Sequence, residues 1–357
     1  MRVGIIASSR HPIAEPFAGG LESHVWSLAD GLRRRGHDVT LFAGPGSDPR
    51  LGVEVLDLRR PEISAEARHD VSMIPERWLD EHHAYLDLML RLAGDWDGRF
   101  DVIHNHSLHH LPIAMAPAVR TPMVSTLHTP PTPWLESAIQ CGDGCPVTFA
   151  AVSAHTAAAW RGVVPDARVV PNGVDTEQWQ EGPGGGPLVW FGRMVPEKGP
   201  HLALDAACRA DMPIVLAGPI ADRAYFDREV GPRLGGNARF AGHLDRAELV
   251  ELVGRARAVL TTPCWDEPYG LVAAEALACG TPVCGFARGG MTEVVGPGAG
   301  VLVDPGDTDA LATAIAVAVE LPRARIREYA VRHCSLASMI EAYTGLYGEL
   351  ATSGVAA

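Results

Sequence analysis

Lysine is almost missing from this chain. Of 30 basic side chains in 357 residues, Lys198 is the one lysine and the rest are arginine. Positive charge is scarce as well, since 43 acidic side chains bring the formal net charge to −13. A duplex-binding protein needs a basic footprint, so nucleic acid is not an expected partner. Long apolar runs are absent. The longest uncharged apolar stretch, 310–319, is half of the about 20 residues a membrane-spanning helix needs, and reads as a core helix. The first residues run from Arg2 straight into Val3-Gly4-Ile5-Ile6-Ala7, without the flanks or length of a signal peptide. The seven cysteines include no two pairs at matched spacing, so a zinc framework is not expected. The tight pair Cys141 and Cys145, in Cys-Gly-Asp-Gly-Cys, reads as two free loop thiols, and scattered thiols suit a cytoplasmic protein. The first apolar run is not followed by Gly-x-Gly-x-x-Gly, which argues against a nicotinamide-dependent oxidoreductase.

What is present is an ordinary globular composition, 47% hydrophobic and 20% charged. At about 150 residues per domain the length suggests two domains. Short β-branched runs alternate with helix-length amphipathic stretches, the pattern of parallel α/β layers. Strands are expected at 2–8, 38–43, 53–58, 101–105, 122–127 and 147–152, and again at 187–192, 213–217, 238–242, 258–262, 281–286 and 300–303. Helices are expected at 22–35, ending in Arg33-Arg34-Arg35 and a Gly36 stop, and at 76–93. Between the two series lies Glu181-Gly182-Pro183-Gly184-Gly185-Gly186-Pro187, which reads as a flexible interdomain linker. The expected division is therefore 1–180 and 181–335. The terminal segment 336–357 carries a helix at about 336–350, expected to strap both domains or to return to the first. Open parallel sheets bind ligands at the carboxyl ends of their strands, so the site belongs in the cleft between the domains.

Three constellations can carry chemistry there. Gly19-Gly20 before a helix permits close backbone approach and offers free amides to an anion, or is a plain glycine turn. Arg193 and Lys198, in Gly192-Arg193-Met194-Val195-Pro196-Glu197-Lys198-Gly199, follow a strand and suit a diphosphate. A chain so biased to arginine keeps its one compact ammonium here, although a chance surface lysine is the plainer alternative. In Glu267-Pro268-Tyr269-Gly270-Leu271-Val272-Ala273-Ala274-Glu275 a loop enters a helix whose first amides, at Gly270 and Leu271, face an anion. Glu267 lies in the loop and Glu275 on the helix, amid an apolar flank that argues for burial rather than a solvated face. Asp307-Thr308-Asp309 mimics a metal-binding Asp-x-Asp but follows a Pro-Gly turn and reads as a helix cap.

Taken in order, Gly19-Gly20-Leu21-Glu22, Val170-Pro171-Asn172-Gly173, Gly192-Arg193 with Lys198, Glu267 to Glu275, and Gly289-Gly290-Met291-Thr292-Glu293 resemble the motifs of the family-4 retaining glycosyltransferases. The resemblance spans about 300 residues. It implies a GT-B fold, two Rossmann-like doubly wound parallel-sheet domains across a cleft, and a nucleotide-sugar donor with no further cofactor. It implies that Arg193 and Lys198 grip the donor diphosphate beside Gly19 and Gly20, and that Glu275 binds the ribose. Glu267 is then expected on the donor sugar, and His128 beside the sugar being transferred, unless that histidine is structural. Asn172, His243, Tyr269, Gly270, Leu271 and Val272 complete the implied donor site. Tyr269 departs from the phenylalanine often found there.

With cations on the diphosphate, no metal is expected. The implied reaction is metal-independent, retaining hexosyl transfer, from UDP-glucose in the first instance or GDP-mannose in the second. The phrases Trp190-Phe191-Gly192-Arg193 and Trp265-Asp266-Glu267-Pro268-Tyr269 faintly resemble a pterin glucosyltransferase subgroup. A catalytically silent nucleotide-sugar-binding protein is the rival from another class. A small soluble acceptor is favoured over a lipid because the first half is net acidic, and stable membrane association is not expected. His106 and Trp134 are the candidate acceptor contacts. The segment 129–147 reads as an acceptor-side lid. His104, His106, His109 and His110 read as one cluster of acceptor contacts or polar filler rather than a metal site.

Overall fold

The structure, a computed structural model, describes residues 1–56, 62–141 and 145–353. Two parallel sheets organise it. The first has seven strands in the order β3-β2-β1-β4-β5-β6-β7: β1 (Arg2–Ile6), β2 (Asp38–Ala43), β3 (Val53–Val55), β4 (Val102–Asn105), β5 (Met123–Leu127), β6 (Val147–Ala151) and β7 (Arg168–Val169). The second has six in the order β10-β9-β8-β11-β12-β13: β8 (Leu188–Phe191), β9 (Ile214–Ala217), β10 (Ala238–Phe240), β11 (Val259–Thr261), β12 (Val283–Phe286) and β13 (Gly300–Val303). β5, β8 and β12 are buried along their whole length, as expected of strands covered by helices on both faces. In each sheet the order reverses at a switch point, between β1 and β4 and between β8 and β11.

The expected strands are found in their expected places. The tail of the 53–58 candidate, like part of the Cys141–Cys145 loop, lies outside the described residues. β7 was not anticipated. Its two exposed residues carry no alternation, and it exists because β6 offers it an edge, pairing Ala150 with Arg168 and Ala151 with Val169. The first helix, Gly20–Arg34, ends before a left-handed Gly36, as the glycine stop implied. Asp307 accepts from Ala310 N at 2.8 Å, so the Asp-x-Asp mimic is a cap.

Two readings of the connections change. The glycine-rich segment 181–187 is pinned rather than free. Gly182 N donates to Cys279 O, Gly184 N to Gly254 O and Gly186 N to Arg255 O. The guanidinium of Arg323 binds the carbonyls of Gly182, Gly254, Ala256 and Cys279 together. A Cβ at Gly182 would lie 2.3 Å from Gly254 O, so glycine is there for close approach and not for mobility. The passage between the sheets is made instead at Gly173–Val174, where the chain meets its own return at Cys334–Leu336. Val174 N donates to Cys334 O and Leu336 N to Val174 O, at 2.8 and 2.9 Å. A Cβ on Gly173 would strike Leu336 Cα at 2.6 Å.

The last helix, Leu336–Ser353, returns to the first sheet and does not strap both units. Met339, Ile340, Tyr343, Leu346 and Tyr347 join the core formed by Val3, Ile5, Val25 and Leu28. In the 129–147 segment, read as an acceptor-side lid, the helix Pro133–Gln140 buries Leu135 and Ile139 in the first unit's second core.

Candidate active site

The carboxyl ends of both sheets open onto one cleft of about 440 Å³. From the first unit come Gly19 and Gly20 after β1, and His128 after β5. Asn172, buried with its Oδ1 unpartnered, enters from the crossing segment. The second unit supplies Arg193 and Lys198 after β8, His243 after β10, and Glu267 to Val272 with Glu275 after β11. The expected donor-site residues are therefore together, although they are drawn from six separate stretches of chain.

Two helix N-termini meet across this cleft. The Gly20–Arg34 helix starts from Gly19 and the Leu271–Ala278 helix from Gly270, and neither has a side-chain cap. Their first amides are therefore free of a side-chain partner, unlike those of the helices that begin at Arg246 and Thr308, which aspartates cap. The two starts approach closely. A Cβ on Gly20 would lie 3.5 Å from Leu271 Cδ2, and one on Gly19 would lie 3.8 Å from Arg193 Cδ. Aligned peptide dipoles place partial positive charge at both ends, so the cleft floor favours an anion.

Arg193 makes no ion pair among the described residues. Lys198 ends a short turn, Pro196–Lys198, held by the left-handed Gly199, whose Cβ would strike Thr262 O at 2.4 Å. Its Nζ donates to Glu267 Oε2 at 2.5 Å and lies 5.3 Å from the centre of the Trp265 ring. Trp265 Nε1 donates to the same oxygen at 3.1 Å, so the loop carboxylate has one orientation. Gly289 and Gly290 lie directly beneath it. A Cβ on Gly289 would be 2.3 Å from Glu267 O, and Gly290 N donates to that oxygen at 2.7 Å. The glycine pair is what lets the Glu267 loop sit so deep.

Glu275 is buried on the inner face of its helix, and that desolvation raises its carboxyl from 4.5 to about 8. The opposing positive influence is Arg246, a residue that sequence reasoning passed over. Arg246 occupies the first turn of the Arg246–Arg255 helix, where a cation opposes the helix dipole. It reaches over the first unit instead. Its guanidinium pairs with Glu15 at 3.1 Å and lies 4.5 Å from the centre of the Trp26 ring and 5.0 Å from that of Phe17. An arginine misplaced against its own dipole was the available signal.

The histidines divide differently from the sequence reading. His106 is fully buried and absent from the cleft wall; it backs His128, with its Nδ1 2.8 Å from His128 Nε2. As a direct acceptor contact it is therefore corrected to a support. His104 faces inward to Tyr347 and Thr126. His109 and His110 belong to a separate group with His82. Trp134 is 64% exposed and stacks on His110, also away from the cleft wall. Burial holds His104, His106 and His128 well below the ordinary imidazole range, so all three are neutral near pH 7.

Residues 18–178 match the family described as Glycosyltransferase Family 4, and residues 176–333 match Glycosyl transferases group 1. A glycogen synthase of Mycobacterium tuberculosis (strain ATCC 25618 / H37Rv) is 30% identical, over 92% of this chain and 88% of that protein. The chain belongs to glycosyltransferase family 4. A phosphatidyl-myo-inositol mannosyltransferase of Mycobacterium leprae (strain TN) is 28% identical over 99% of this chain and 98% of that one. HepE of Anabaena, solved in complex with UDP-glucose, shares the fold with a TM-score of 0.75 at 19% identity, covering 98% of this chain and 100% of that one. The glycosyltransferase thus has the GT-B architecture, and the catalytically silent alternative gives way to an enzyme. Among its described residues no helix is long and apolar enough to cross a membrane.

Proposed function

We propose that this glycosyltransferase moves a hexose, with retention, from a nucleoside diphosphate sugar to a hydroxyl of a small soluble acceptor, with no metal on the diphosphate. The observation that carries the proposal is the convergence of Arg193, Lys198 and two uncapped helix starts on one cleft. Cleavage of the anomeric bond leaves negative charge on the departing diphosphate and oxocarbenium character on the sugar. Fixed cations and amide dipoles that face the diphosphate stabilise that charge as it develops. Two cations and two dipoles serve the role a divalent ion serves elsewhere.

In this reading Glu275 receives the ribose hydroxyls and Glu267 the sugar hydroxyls, with Tyr269 and the 270–272 turn around the nucleotide. His128 stands on the acceptor face of the sugar. The retaining course, in which the diphosphate takes the acceptor proton, is the one that the family resemblance implies. UDP-glucose is the favoured donor: HepE, of the same fold, was solved with it. GDP-mannose is the second reading, favoured by the mannosyltransferase relative.

A melting-temperature panel of nucleotide sugars tests donor choice, because a ligand that binds the native state alone raises the transition. Radiolabelled UDP-glucose and GDP-mannose then test turnover. Transfer or slow hydrolysis of UDP-glucose is the expected result. Stabilisation and turnover with GDP-mannose alone would replace the first donor by the second, and turnover with neither would end both.

A further inference from the structure

His24, His106 and His128 reach one point from three elements of the first unit: the Gly20–Arg34 helix, the end of β4 and the end of β5. One ring nitrogen from each lies within 4.8 Å of the others. The ring centres form a nearly equilateral triangle, 5.2 Å from His24 to His106, 5.0 Å from His24 to His128 and 5.1 Å from His106 to His128. One hydrogen bond runs along the triangle, between His106 Nδ1 and His128 Nε2 at 2.8 Å, but both nitrogens of His24 and Nε2 of His106 are buried with no partner in the protein. His24 is 2% exposed and His106 fully buried. An unpaired buried polar group is costly, and here three such atoms occur on two of the three rings.

We propose that His24, His106 and His128 form a tripod for one divalent transition-metal ion of the zinc class. Three imidazoles bound at about 2.0–2.1 Å in tetrahedral directions hold their nitrogens about 3.3 Å apart, so the tripod needs small ring movements and no backbone change. An all-imidazole donor set suits zinc, copper, nickel or iron and rejects magnesium and calcium. Its three ligands all belong to the first unit, where His128 lines the cleft opposite the second unit's Arg193 and Lys198. Its consequence for the reaction is positional. With His128 Nε2 on the ion, its Nδ1 carries the proton, so the ring meets the cleft as a fixed hydrogen-bond donor.

The experiment is metal uptake by the full chain, stripped with chelator and titrated with Zn²⁺ and, as a spectroscopic probe, Co²⁺. Expected are one equivalent bound, visible-region bands of tetrahedral cobalt, and a metal-dependent rise in melting temperature. His24→Phe and His106→Phe should abolish the bands, while His82→Ala and His110→Ala, in the separate histidine group, should keep them. Absence of stoichiometric uptake by the unaltered chain overturns the proposal without recourse to any variant, and implies that water satisfies the three nitrogens. Bands that survive His24→Phe, or vanish with His82→Ala, overturn it as well. Circular dichroism of each variant separates loss of the site from loss of the fold. Because uptake is read without turnover, failure here leaves the donor reading untouched, and the reverse also holds.

Discussion

Glu275 is a carboxyl group in the interior of the second unit, and its environment has a consequence for stability. Its folded value of about 8 lies above the ordinary 4.5, so the folded state holds a proton that the unfolded state releases between those two pH values. Stability from this group is fully present below about pH 4.5 and is lost as pH rises through 8. The melting temperature of the unliganded wild type should therefore fall relative to Glu275→Gln between pH 5 and 8, and parallel curves would refute the assignment. Glu275→Ala should also raise the donor KM. Lys198 acts on the transition state instead. Removing it as Lys198→Ala should cost about 10²-fold or more in kcat, and unchanged kinetics would remove the charge argument.

Two elements are fixed by contacts that single substitutions can break. The Leu336–Ser353 helix is tied to the first sheet through Tyr347, whose hydroxyl lies 2.6 Å from His104 Nδ1, and Tyr343, whose hydroxyl lies 3.1 Å from Thr126 Oγ1. Tyr347→Phe leaves a buried imidazole nitrogen unpaired and should cost about 1–3 kcal/mol by urea denaturation. The loop bearing Glu267 depends on Gly289, at φ +62° and pressed against Glu267 O. In Gly289→Ala the left-handed backbone alone costs about 1–3 kcal/mol. The steric push adds displacement of the Glu267 carboxylate, so activity should fall further than stability predicts. Equal loss in both would show that the glycine is structural only.

At the scale of the whole molecule, the two units touch through more than the crossing segment. Pro268 O, next to Glu267, accepts from Ser153 Oγ at 2.5 Å and from Thr156 Oγ1 at 3.1 Å. Glu293 accepts from the amides of Ala154 and His155 at 2.8 and 2.7 Å, so a carboxylate of the second unit caps a helix of the first. These bonds couple the relative position of the units to the loop that holds Glu267. The double variant Ser153→Ala, Thr156→Ala should widen the distribution of radius of gyration in solution scattering and raise the donor KM severalfold. Unchanged scattering and kinetics would mean that the Ser153 and Thr156 bonds do not set the relative position of the units.

Much of this was legible in the linear chain. Parallel strands buried on both faces are near-continuous apolar runs, so both sheets could be placed from the residues that form them. The cleft residues were legible because they follow strand ends, where backbone amides and glycines are written into the local sequence. Residues whose roles depend on distant partners were not. Arg246 faces Glu15, Phe17 and Trp26, more than 200 positions away in the chain. The 181–187 segment looked mobile because glycine is used both for freedom and for close contact, and local sequence does not separate the two. His106 looked available to an acceptor because the residue after a strand faces either a cleft or a neighbouring ring, and only packing decides which. Local periodicity and turn chemistry thus placed the elements, and the resemblance of the motifs indicated the family. The meeting of the units, the rearward histidine triangle and the buried state of Glu275 were decided by tertiary structure, because desolvation and cross-unit contacts are properties of the space between segments and not of any one segment.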